Sequence, residues 1–135
     1  MKNGMNPELG LAILRIVLGV IFIAHGWPKV GNIEATVGFM ESLSMPLPVV
    51  TAWLLAGLEL GGGLLLIAGF LVTPVSLLLA THMLMGIVLV HAANGFYVID
   101  RGAGGVEFNL ILAASAMMLV FGGPGLAALD SRKEP

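Results

Sequence analysis

The chain has 135 residues, 58% of them hydrophobic and 10% charged, with a formal net charge of −2. A water-soluble domain carries about 25% charged residues, so this composition excludes an ordinary soluble enzyme, and without a basic run nothing marks a nucleic-acid partner. Cysteine is absent, which excludes disulfides, thiol chemistry and iron–sulfur ligation by this chain.

Four apolar stretches, Leu9–Trp27, Pro48–Phe70, Thr73–Ala92 and Val106–Gly122, use most of the length. Each approaches the roughly 20 residues that a helix needs to cross a hydrocarbon core. The expected fold is all-α: one integral membrane domain over residues 1–135, built as a four-helix transmembrane bundle.

The first stretch follows Pro7 and ends near Gly26-Trp27-Pro28. Glu8 before it and Arg15 inside it argue against a cleaved signal peptide. In the segment 32–44, Ile33, Val37, Met40 and Leu43 recur at helical spacing, with Glu34 and Glu41 on the other side. This pattern predicts a short amphipathic helix in the membrane interface between the first two spans. Met45-Pro46-Leu47-Pro48 breaks the chain before the second span. Thr73 is placed to cap the third, with Pro74 at its first position. So short a connection makes the second and third spans antiparallel neighbours. A loop with Tyr97, Asp100, Arg101 and glycines between Gly102 and Gly105 leads to the fourth span.

Four spans put both termini on one side. That side carries Lys2, Arg132 and Lys133, against Lys29 and Arg101 on the other. The bias points to cytoplasmic termini in a bacterial cytoplasmic membrane. Trp27, Trp53 and Tyr97 fall near the opposite interface as a thin aromatic belt.

Charged residues inside a bilayer are costly and are usually paired or functional. At about 1.5 Å of rise per residue, counted from the side of the termini, Arg15 lies about 9 Å deep, His82 about 13 Å and Glu59 about 16 Å. Arg15, Glu59 and His82 are therefore expected to meet near mid-membrane. They would form either a site for protons or a polar headgroup, or an ion pair that only docks the helices. A second set, His25, Lys29, His91, Asn94 and Glu107, is expected at the opposite rim. There it would form the mouth of a site, a docking surface, or ordinary interfacial polarity. His25 and Lys29 are four apart and share a helix face.

No metal is expected. His82 and His91 are nine apart and face opposite sides of one helix, and nothing beyond similar depth links His25 to His91. The methionines are ordinary packing residues. Gly57-x-x-x-Gly61 has the spacing of a helix-contact motif and allows a homodimer through the second span. Gly62 and Gly63 follow Glu59 on its own face, where a neighbouring helix or flat ligand can approach.

The run Leu14-Arg15, Leu18-Gly19, Phe22, His25-Gly26 and Lys29 resembles the first helix of the DoxX family of small four-helix bacterial membrane proteins. Ala56-Gly57-Leu58-Glu59-Leu60-Gly61-Gly62-Gly63 and the closing Gly122-Gly123-Pro124-Gly125 resemble it too, so the likeness spans almost the whole chain. The resemblance implies redox-linked membrane work, since related DoxD-type proteins are subunits of a thiosulfate:quinone oxidoreductase. On that basis the chain is expected to contact the lipid bilayer and to be at most a quinone-interacting or accessory subunit of an oxidoreductase. It would interact with a quinone, with Arg15 and His82 donating to a quinone carbonyl and Glu59 exchanging the proton. An oxidoreductase partner subunit would supply the electrons. The alternatives are a non-catalytic scaffold or assembly factor for a soluble redox enzyme, and a transporter of protons or a small solute.

Overall fold

The computed structural model describes residues 6–99 and 104–132; Lys2, Asp100, Arg101, Gly102 and Lys133 lie outside the described residues. Those residues form five α-helices and no strand: α1 (Pro7–Gly31), α2 (Ile33–Ser42), α3 (Pro48–Ala68), α4 (Val72–Gly86) and α5 (Val106–Gly122). Beyond Gly86, α4 continues as a π-helical turn, Ile87–His91, and a 3-10 turn, Ala92–Asn94.

Local chemistry explains most of the boundaries. The Asn6 side chain accepts from the Glu8 and Leu9 amides, and Pro7 opens α1 where its missing N–H costs nothing. The helix runs through Pro28 to Gly31, one turn past the expected end at Trp27. Lys29 therefore projects from a regular helix face rather than from a loop. Asn32 caps α2 through the Ala35 amide. The inward face of α2 has Thr36 and Met40 buried and Ile33 and Val37 half-buried, while Glu34 and Glu41 are exposed. Gly69, at φ +69°, closes α3 in the left-handed conformation that suits glycine.

The expected cap on α4 is different. Its N-cap residue is Leu71, without a side-chain cap bond, and Thr73 and Pro74 fall inside the first turn. Asp130 supplies the cap instead, accepting from Leu71 N at 3.1 Å and Val72 N at 2.8 Å. A carboxylate at a helix N-terminus satisfies orphan amides and complements the dipole.

Successive long helices run antiparallel. Gly19 of α1 faces Gly63 of α3, and farther along Gly26 faces Glu59 and Leu60. Gly62 of α3 packs on Val75 and Leu79 of α4. Asn109 of α5 abuts Gly86 of α4, and Gly122 reaches Leu11 of α1. The α1–α3 crossing is glycine-made. A methyl group on Gly19 would lie 2.7 Å from the Gly63 carbonyl oxygen, and one on Gly63 would lie 2.6 Å from that of Gly19. Gly57 and Gly61 take no part, since nothing lies within 4 Å of a Cβ built on either.

Leu18, Phe22, Leu66, Leu79, Leu112 and Leu119 fill the core. The outer surface is just as apolar: Ile13, Val17, Leu54, Leu78 and Ile111 are all exposed, while Arg15 and Glu59 are buried. Exposed apolar faces around buried charges are what lipid as solvent demands. α1, α3 and the continuous segment Val72–Asn94 are each long and apolar enough to cross a membrane, and α5 is a shorter apolar helix. Trp27, Trp53 and Tyr97 are exposed at one end of this assembly.

Candidate functional site

Three charged or polar side chains from three helices converge beside Gly26. Lys29 Nζ of α1 donates to Glu59 Oε2 of α3 at 2.5 Å. His82 Nε2 of α4 lies 2.9 Å from Glu59 Oε1. An ionised carboxylate only accepts, so His82 donates from Nε2 when Glu59 carries its charge. Both carboxylate oxygens are thus engaged, as a buried charge requires. Lys29 Nζ also donates to the His25 carbonyl at 2.9 Å. Its third N–H and the Nδ1 of His82 have no partner among the described residues.

Glycine makes the convergence possible. A Cβ on Gly26 would stand 2.6 Å from the Leu60 amide nitrogen and 3.0 Å from Glu59 Cβ. The backbone of α1 therefore lies directly against α3 where Lys29 must reach Glu59.

The triad borders a cavity of 670 Å³. Its walls come from the last turns of α1, α2, the first half of α3, the second half of α4 with its π-helical turn, and the start of α5. They are mostly apolar, with Phe22, Leu55, Leu58 and Leu112 among them; the polar groups are the triad, His25, His91, Asn109 and three threonines. A concave, largely apolar space with a few convergent polar groups is the usual form of a small-molecule site. Asn109 is buried and donates from Nδ2 to the Met83 carbonyl at 3.4 Å. This bond lies where α4 gives way to its π-helical turn, an irregularity common at functional sites.

Arg15 is not part of this constellation. It is 1% exposed and donates to four backbone carbonyls: Leu66 (2.5 Å), Ile67 (2.9 Å), Pro124 (2.8 Å) and Leu126 (3.1 Å). Leu66 and Ile67 belong to the last turn of α3, about 10 Å of helix rise from Glu59. Arg15 thus ties the carbonyl end of α3 to the chain after α5, where the helix dipole favours a cation. The expected meeting of Arg15 with Glu59 and His82 does not occur; Lys29, assigned to the rim, takes its place. The reason is side-chain direction. Helical side chains lean toward their own N-terminus, so Arg15 reaches away from Glu59 while Lys29 reaches back toward it.

Of the remaining rim residues, His25 and His91 both line the cavity, and the His25 ring lies 5.9 Å from that of Phe108. His91 Nδ1 lies 2.9 Å from the Gly104 carbonyl, and Asn94 Nδ2 donates to the same oxygen at 3.3 Å. Glu107 accepts from the Val98 amide at 2.7 Å. Asn109 was legible only as a lone amide in the apolar run of the last span. Asp130, in the polar tail, had no signal.

The DoxX family model matches residues 10–92, a segment that contains Lys29, Glu59 and His82. The chain belongs to the DoxX family. Among DoxX relatives, it is 32% identical to "Putative oxidoreductase CatD" of Bacillus subtilis over 91% of this chain and 86% of that protein. It is 31% identical to "Inner membrane protein YphA" of Escherichia coli, over 90% of this chain and 89% of that protein. It is 30% identical to "Inner membrane protein YqjF" of the same organism, over 91% of each chain. No solved structure matches the chain significantly. With its apolar exterior and three span-length helices, this DoxX-family chain is a membrane protein in contact with the lipid bilayer.

Proposed function

We propose that this chain is a quinone-interacting, accessory subunit of a membrane-associated oxidoreductase system. The observation that carries the reading is the Lys29–Glu59–His82 triad set into the wall of an apolar cavity. A quinone is a flat apolar ring with two carbonyl acceptors; the third N–H of Lys29 suits such an acceptor, and His82 adds a second donor at Nδ1 in its protonated form. Its own chemistry is the uptake of two electrons and two protons. Lys29 and protonated His82 bind and orient the carbonyl and carry the protons it takes up, and Glu59, bridged to both, exchanges protons with them. The electrons come from a partner oxidoreductase subunit. The name of one relative, "Putative oxidoreductase CatD", supports this reading.

In the same reading α1, α3, α4 and α5 form a four-helix transmembrane bundle, and α2 lies in the membrane interface over the cavity. The bacterial inner membrane, with cytoplasmic termini, is the setting favoured by the YphA and YqjF relatives and the positive-charge bias.

The test is binding of a quinone to the purified, folded protein by intrinsic tryptophan quenching. Glu59→Gln and His82→Phe are each expected to weaken binding about tenfold, which is 1.4 kcal/mol. Arg15→Leu, in the fraction that folds, leaves affinity unchanged. Full affinity in both Glu59→Gln and His82→Phe sinks the proposal.

A further inference from the structure

The seam between α3 and α4 is closed at one end and open at the other. Gly62 packs against Val75 and Leu79, with a Cβ there 3.4 Å from both side chains. One turn farther, Glu59 and His82 bridge the helices through side chains alone. Beyond that bridge the facing residues line the cavity: Leu54 and Leu55 from α3, Met85 and Leu89 from α4. Leu54 is 70% exposed and Met85 48%, so the same residues belong both to the cavity wall and to the outer surface. A second groove of 290 Å³, lined by Leu84, Met85, Val88 and Leu89 with Thr81, runs along the outside of α4. Thr81, Met85 and Leu89 are common to both spaces. A polar end at the triad, an apolar chamber, a gap in the seam and an apolar groove outside therefore follow one another.

We propose that the site is entered sideways from the bilayer through the α3–α4 seam. Its ligand is an amphiphile whose carbonyl head reaches Lys29 and His82 beside Glu59 and whose apolar chain leaves past Met85 and Leu89 onto the outer face of α4. This rests on the quinone reading and adds the tail, its route and the residues that select for it. A chain along the outer groove stays in the lipid-facing apolar surface, so it loses no contact with hydrocarbon as the head enters. The long apolar tail is then a requirement for tight binding rather than a passenger.

Two probes test this on the full-length protein in mild detergent: tetramethylbenzoquinone, which has no chain, and a benzoquinone carrying an isoprenoid chain. Leu54→Trp and Met85→Trp narrow the seam. They are expected to weaken the tailed probe about tenfold or more while changing the chainless one by less than about twofold. Unchanged affinity for the tailed probe in both variants overturns the lateral route, and so does an equal loss of both probes. If the unaltered protein binds neither probe, the quinone reading itself fails; if it binds both and the variants have no effect, only the route fails. A tailed quinone with a photoreactive diazirine at the chain end keeps the test independent of variant folding. Labelling of residues 81–89 supports the route, and labelling confined to α1, α2 or α5 overturns it.

Discussion

Lys29 and Glu59, thirty residues apart on different helices, meet at 2.5 Å across a crossing made by Gly26. The side chain of Glu59 is 5% exposed and that of Lys29 29%. Neither charge has an alternative partner of opposite sign among the described residues apart from His82 when protonated. A buried ion pair is weak evidence for stability, but breaking one half of it is costly.

Lys29→Met is therefore expected to destabilise the protein by about 3 kcal/mol, because it leaves the Glu59 carboxylate short of its cation. The double variant Lys29→Met with Glu59→Leu recovers most of that loss. Thermal unfolding in detergent reads both. A double variant no more stable than the single one would mean that the pair is not the source of the cost.

Arg15 is expected to matter for stability and not for ligand affinity. Its four bonds to carbonyls hold the last turn of α3 and residues 124–126. Bonds to a charged group contribute about 1.5–3 kcal/mol each and do not add, so Arg15→Leu should lose at least about 3 kcal/mol. Arg15→Lys should not rescue it, because one ammonium lacks the fork that spans four oxygens. Hydrogen exchange should rise first in residues 124–132. Exchange that rises first around Glu59 and His82 would contradict this placement.

The glycines of α3 should divide into two classes. Gly63→Ala places a methyl 2.6 Å from the Gly19 carbonyl oxygen and forces two backbones apart; the expected cost is about 1–3 kcal/mol. Gly57→Ala and Gly61→Ala meet open space, and the better helix propensity of alanine should leave stability equal or raised by up to about 1 kcal/mol. Equal losses at Gly61 and Gly63 would place a second copy or another chain against the outer face of α3.

Asp130→Ala removes the acceptor for two amides at the start of α4. Loss of a helix cap costs about 1 kcal/mol, read as a lowered melting temperature. Asp130→Asn, which keeps one acceptor oxygen, should lose less. Equal losses in the two variants would show that charge alone, and not the paired acceptors, secures this helix end.

The sequence by itself determined the all-α class, the apolar segments, the bounds of α5 and the short list of polar residues from which any site is drawn. Hydropathy and periodicity carry that information locally, because each helix must hide its own backbone from lipid. It also placed Glu59 and His82 within reach of each other, since depth follows from counting rise along a helix. Only the tertiary structure decided the partners. Arg15 and Lys29 sit on one helix, and their side chains both lean toward its N-terminus, which carries Arg15 away from Glu59 and Lys29 toward it. Pro28 read as a stop, but α1 continued through it and kept Lys29 on the inner face. The cap of α4 came from Asp130, some sixty residues away, rather than from the adjacent Thr73. Contacts set by where one backbone can press against another, as at Gly19, Gly26 and Gly63, depend on the shape of both surfaces, and no single helix encodes that shape.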